Sequence, residues 1–187
     1  MIYPQKISSR KSEIIIKSLL LFFVVVALLL FIINRIFSPD IPWSPIVNAG
    51  IIYIWITVIY SIKRNTNIAA HVLLQTITIS FLIFYIDNKL NFSGWSVYIG
   101  IPIILIIANV TMLILAIVTY KRYFKYVIYQ LIIVIISFIP IILALNEIIE
   151  LKLLQIIATG ISCLNLCVSL MLNHKAFYKS LESNFHI

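Results

Sequence analysis

Of the 187 residues, 63% are hydrophobic and only 11% are charged, with a mean hydropathy of +1.12. That leaves too little polar surface to coat a water-soluble globule. The net charge of +8 would point to nucleic acid in a soluble protein, but here its distribution along the chain follows the logic of a bilayer and speaks against a nucleic-acid partner.

Residues 1–17 form a basic N-terminal segment with Lys6, Arg10, Lys11 and Lys17. Six apolar stretches follow, at 18–33, 46–62, 68–86, 97–120, 126–145 and 151–172. A span needs about 20 mostly apolar residues, because each helical residue rises about 1.5 Å through a hydrocarbon core about 30 Å thick. The Ile-rich runs resemble strands by propensity, but an open sheet facing lipid would leave backbone groups unpaired. The expected fold is therefore an all-α membrane protein with six transmembrane helices arranged as three hairpins over 18–173. A tail at 174–187 completes the chain.

The connections alternate in charge. Lys63 and Arg64 follow the second stretch, Lys121, Arg122 and Lys125 the fourth, and Lys175 and Lys179 the sixth. With the N-terminal segment this puts eleven of the fourteen basic residues on one side, against Arg35, Lys89 and Lys152 on the other. With the acids included, the first side carries about +9 and the second about −1. The positive-inside rule then places both termini in the cytoplasm, and the expected location is the bacterial cytoplasmic membrane. The cluster from Lys6 to Lys17 also suits anionic headgroups. No small-x-small site follows the first stretch, which continues Asn34-Arg35-Ile36-Phe37, so it reads as an uncleaved helix. Trp43 and Trp95 in the outer connections, and Tyr120, Tyr123, Tyr126 and Tyr129 near an inner one, suit interfacial anchoring.

Trp43-Ser44 opens the second stretch and leads to Lys63-Arg64 and Gln75; Trp95-Ser96 opens the fourth and leads to Lys121-Arg122 and Gln130. This is a weak internal echo that the third hairpin lacks. Pro102 and Pro140 lie inside the fourth and fifth stretches, where proline removes a helix hydrogen bond and kinks the axis.

No charged residue lies at mid-depth; Asp87 and His71 fall near opposite helix ends, which argues against the common proton- or sodium-coupled carriers. Cys163 and Cys167 share a helix face without a matching His or acid and read as small packing residues. His71, His174 and His186 are dispersed, and no phosphate loop, HExxH or paired-carboxylate motif occurs. No cofactor or metal is expected.

The polar residues fall in stripes. His71, Gln75 and Thr78 share one face of the third helix; Thr159, Ser162, Asn165, Ser169 and Asn173 occupy one arc of the sixth. Such stripes mark a bundle interior, where amides and hydroxyls bond across helices. The first helix is bulky and apolar all round, as a peripheral one should be.

Trp43-Ser44 with Trp55, Lys63-Arg64, Gly94-Trp95-Ser96 before Ile101-Pro102, and the terminal Phe185-His186-Ile187 together resemble a family of uncharacterised small bacterial membrane proteins. The resemblance implies a six-helix membrane region, often preceded by a zinc ribbon of paired CxxC motifs, and a basic tail closing in Phe-His-Ile or Phe-His-Leu. The chain departs from it by starting Met1-Ile2-Tyr3-Pro4 without ribbon cysteines, and by Glu182-Ser183-Asn184 where basic residues are usual. The resemblance implies no activity.

Three functions follow in order of preference. The first is a non-enzymatic protein acting through contacts with lipid, a second copy or another membrane protein, with Phe185, His186 and Ile187 as a docking tail. The second is a small transporter or channel component with a path lined by Gln75, Asn109, Gln130 and Asn165, His71 lying on the same polar stripe as Gln75. The third is a lipid- or prenyl-modifying enzyme using Asp87 and His71.

Overall fold

A computed structural model describes residues 9–41, 43–63, 67–118 and 127–185. The helices are α1 Ser9–Phe37, α2 Trp43–Lys63, α3 Ile68–Lys89, α4 Ile101–Val118, α5 Val127–Leu145 and α6 Leu153–Phe185, with a π-helical turn Ser96–Gly100 leading into α4. No strand occurs among the described residues. Six helices are long and apolar enough to cross a membrane. Helix is the outcome because it satisfies each backbone group within its own segment, whatever lies outside.

The ends differ from the apolar stretches where the flanking residues also favour helix. α1 begins at Ser9 because the Lys, Arg and Glu that follow extend a helix as readily as they end a hydrocarbon span. α6 continues unbroken to Phe185, so the predicted tail is largely an extension of the last helix. His186 and Ile187 of the expected docking tail lie outside the described residues, as do Lys6, Arg64, Lys121, Arg122, Lys125, Tyr120, Tyr123 and Tyr126. α3 starts cleanly because the Asn67 side chain accepts from Ala70 N at 3.3 Å.

Consecutive helices pack as antiparallel neighbours. α1 rests on α2 and α2 on α3; α3 packs on α4 and α5, and α4, α5 and α6 pack mutually, most closely α4 with α6. The core cluster is Ala69, Ala108, Met112 and Ile133, with Val72, Leu73, Leu115 and Tyr129 against it. Tyr129 thus packs inward instead of serving only as an interfacial anchor. Small residues at Ala69 and Ala108 let α3 and α4 approach closely. Along α1 the only buried residue described is Asn34, in keeping with a peripheral helix. Cys163 and Cys167 are exposed on α6, a correction to their reading as packing residues. The polar arc of α6 takes the inward face, so the opposite face, which holds both thiols, points out.

Candidate functional site

Polar side chains gather in three places. The first is the pair of helix ends at the α1–α2 and α3–α4 turns. Asn34, near the end of α1, donates through Nδ2 to Ser38 O at 2.6 Å and Ile41 O at 2.8 Å, and its Oδ1 accepts from Ser44 N at 3.3 Å. Asp87, near the end of α3, accepts at Oδ1 from Ser93 N and Oγ at 3.0 and 3.1 Å, and at Oδ2 from Ser96 N and Oγ at 3.2 and 2.7 Å. Ser44 and Ser96 are both buried. The Trp-Ser echo therefore has a physical meaning: each buried Ser starts a helix whose first N–H groups need acceptors, and the preceding helix supplies one.

The α3–α4 turn is the tighter of the two. Its backbone takes left-handed values at Asn91 (φ 69°), Phe92 (φ 40°) and Gly94 (φ 80°), conformations that side chains other than Gly, Asn and Asp resist. The Asp87 carbonyl steadies it by accepting from Leu90 N at 3.1 Å and Phe92 N at 2.9 Å. A Cβ on Gly100 would stand 2.6 Å from Ile83 Cδ1, so the π-turn lies close enough to α3 that a side chain at residue 100 would require the Ile83 side chain to shift. Asp87 is therefore engaged by four donors. It stands 16 positions from His71 on the same helix, about 24 Å along the axis, and the structure does not bring these two together.

The second place is the junction of the π-turn with α6. In the π-turn Ile101 N donates to Ser96 O; continuing that pattern, Val97 O would accept from residue 102, which is Pro102 and has no N–H. Gln155 of α6 fills the gap, its Nε2 lying 3.5 Å from Val97 O while its Oε1 accepts from Lys152 N at 2.9 Å. One buried amide thus caps α6 and answers the proline of α4. Lys152 Nζ sits 4.5 Å from the centre of the Tyr98 ring in the same region.

The third place is a ladder through the middle of the bundle. Thr159 Oγ1 donates to Ser137 O at 3.1 Å, Ser162 Oγ reaches Val134 O at 3.4 Å, and Gln130 Nε2 donates to Asn165 O at 3.1 Å and also to Asn165 Oδ1. Asn165 Nδ2 donates onward to Asn109 Oδ1 at 3.1 Å, and Asn109 Nδ2 to Ser137 Oγ at 2.8 Å and Leu105 O at 2.9 Å. The three amides are buried, and Gln130 Oε1 has no partner among the described residues. Of the predicted polar set, Asn109, Gln130 and Asn165 are brought together.

Gln75 and His71 stand apart from that ladder. Gln75 accepts from Tyr53 Oη at 2.5 Å and donates to Thr57 Oγ1 at 3.1 Å, tying α3 to α2. His71 meets the Tyr60 ring edge-on, the ring centres 4.7 Å apart. Thr78, placed on the same stripe, bonds back to Leu74 O at 2.8 Å. α2 also holds two polar atoms, Asn48 Oδ1 and Trp55 Nε1, that are buried without a partner among the described residues. Sequence reasoning missed Asn34, Ser137 and Gln155, and read Asp87 as a helix-end acid or, with His71, as a group for the enzyme alternative. The Trp-Ser echo was a usable signal for Asn34 and Asp87, since each lies nine or ten residues before the repeated Ser.

Two cavities flank α3. One, of about 490 Å³, lies against α2 beside Asn48, Tyr53 and Tyr85. The other, of about 460 Å³, lies between α3, the start of α4 and α5, and is apolar apart from Thr76 and Ser80. Among the described residues no three of His, Cys, Asp and Glu gather as metal ligands would.

No curated protein and no solved structure matches this chain. The family model of DUF6320 matches residues 3–187, and on that match, which spans both turn locks and the whole ladder, the chain belongs to this family of unknown function.

Proposed function

We propose that the chain is a non-enzymatic integral protein of the bacterial cytoplasmic membrane, crossing six times with both ends in the cytoplasm, and that it works by contact with another membrane protein or a second copy. The supporting observation is the ladder: the buried amides Asn109, Gln130 and Asn165 of α4, α5 and α6 bond to one another, and the outward surface is left to exposed large hydrophobics such as Leu21, Leu28 and Ile107. Polar groups spent on each other hold helices together and leave apolar shape as the means of recognition. α1 is the natural contact element, since it covers α2 and little else.

Two measurements test this. Reporters fused at Ser38, Asn91 and Glu147 should sit on one side of the membrane, and fusions at Asn65, Tyr123 and the C-terminus on the other; a cytoplasmic signal at Asn91 overturns the orientation. Mild-detergent purification from the native membrane should recover a defined complex that Leu21→Trp with Leu28→Trp weakens. Recovery of the same complex from wild type and the double variant would remove α1 from the interface.

A transporter component is the second reading, supported by the proline-altered start of α4 and by Pro140 beside a cavity. It requires water to reach Gln75, Asn109, Gln130 and Asn165. Cysteines placed there should stay unreactive to a membrane-impermeant thiol reagent if the contact reading holds, and reaction at two or more of them would transfer the case to transport.

A further inference from the structure

The cavity of about 460 Å³ between α3 and α5 has a size usual for small-molecule sites and a composition to match, mostly apolar with a few polar groups. Its floor includes Thr76 and Pro140, both buried, and its rim includes Phe81, Phe84 and Ile139, all exposed, so it opens sideways from the bundle. Two polar groups on the residues that line it lack a usual helix-side partner. The Ser80 hydroxyl makes no hydrogen bond to a described residue. The carbonyl of Ile136 would, in an unbroken helix, accept from residue 140, but Pro140 has no N–H to give. Thr76 is already engaged, donating to Val72 O at 2.7 Å.

The lining contains no charged residue. A carboxylate or phosphate drawn into it would lose water and gain no counter-ion, which is prohibitive in an apolar wall. A neutral hydroxyl suits this lining: it can accept from the Ser80 hydroxyl without carrying a charge into the apolar wall. We infer that this cavity binds the chain and hydroxyl of a neutral long-chain alcohol, linear or prenyl, entering sideways from the bilayer. The inference rests on the membrane reading, but the two fail separately: orientation is read by the reporters above, ligand binding by labelling of protein already inserted.

The test uses the full chain in phosphatidylcholine nanodiscs with a diazirine-bearing long-chain alcohol, and the corresponding carboxylic acid as comparison. The alcohol should label α3 and α5 peptides saturably and be displaced by unlabelled alcohol, while the acid labels without saturation. Ser80→Ala should weaken displacement about threefold, the loss of one hydrogen bond within a bilayer. Ser80→Leu should abolish saturable labelling by filling the site. Ile139→Trp, at the exposed rim, does the same service if Ser80→Leu does not fold. Saturable labelling that survives the filling variants, non-saturable labelling of wild type, or equal displacement by the acid would each overturn the proposal.

Discussion

The α1–α2 hairpin and the four helices beside it use the same apolar alphabet to different ends. In the apolar windows of α1 and α2 no residue is buried, whereas 39% of the α4 window and 33% of the α6 window are. α1 and α2 meet through a turn lock and a long contact from Asn48 Nδ2 to Ala27 O at 3.4 Å, while α5 and α6 meet through successive rungs from Thr159 to Gln130. Hydrophobicity therefore sets only that a helix belongs in an apolar medium. In a bilayer, where lipid is as apolar as Leu, position within the bundle is set by the polar and small residues.

Asn165→Leu should show this contrast at its strongest. It leaves the buried Asn109 Oδ1 without its donor and removes one of the two acceptors of Gln130 Nε2, which keeps the residue-165 carbonyl. A loss of about 2–3 kcal/mol is expected from the unmet buried acceptor together with the lost bond, measured by unfolding in mixed detergent micelles. A loss no larger than that of an α1 surface substitution would mean that the ladder does not hold α4, α5 and α6 together.

The two turn locks invite an exchange. Asp87→Asn puts an NH2 where either Ser93 N or Ser96 N must find an acceptor, and Asn34→Asp sets a carboxylate against the Ser38 and Ile41 carbonyls that now accept from it. Each near-isosteric change should cost about 1–2 kcal/mol, read as a lowered midpoint in the same assay. Tolerance of both would show that the turns are held by backbone geometry alone.

Gln155→Ala removes the α6 cap and leaves Val97 O unpaired, for about 1 kcal/mol. In a Pro102→Ala background the cost should fall, because residue 102 regains the N–H whose absence Gln155 answers; equal costs in both backgrounds, measured as a double-mutant cycle, would separate the proline from the glutamine. The smallest effect belongs to the outer hairpin. Leu28→Ala, at a position 57% exposed, should change stability by less than about 0.5 kcal/mol, since in a bilayer the removed methyl groups are replaced by lipid.

The six helices and the peripheral character of α1 were legible because length and hydropathy report directly on the medium. The inward face of α6 was legible too: Thr159, Ser162, Asn165 and Ser169 are spaced for one face, and all four are buried. What the stripes could not give was pairing. Gln75 looked equivalent to Gln130 by its place after a basic connection, yet it serves the α2 seam while Gln130 serves the ladder. That assignment depends on which helices are neighbours, and helical periodicity carries no such information. Gln155 was illegible for a related reason: its reach to Val97 O joins positions 58 apart in the chain.

The separation of these contacts along the chain sets a timetable for biosynthesis. Asn34 and Asp87 reach partners ten and nine residues ahead, so each of the first two hairpins can fasten its own turn as soon as its second helix emerges from the ribosome. Asn109 waits 28 residues for Ser137 and 56 for Asn165. With the chain crossing a membrane as proposed, α4 and α5 would enter it with unshielded amides until α6 arrives, and a nascent chain arrested between Leu145 and Asn165 should be the form most readily retained by insertion chaperones or degraded.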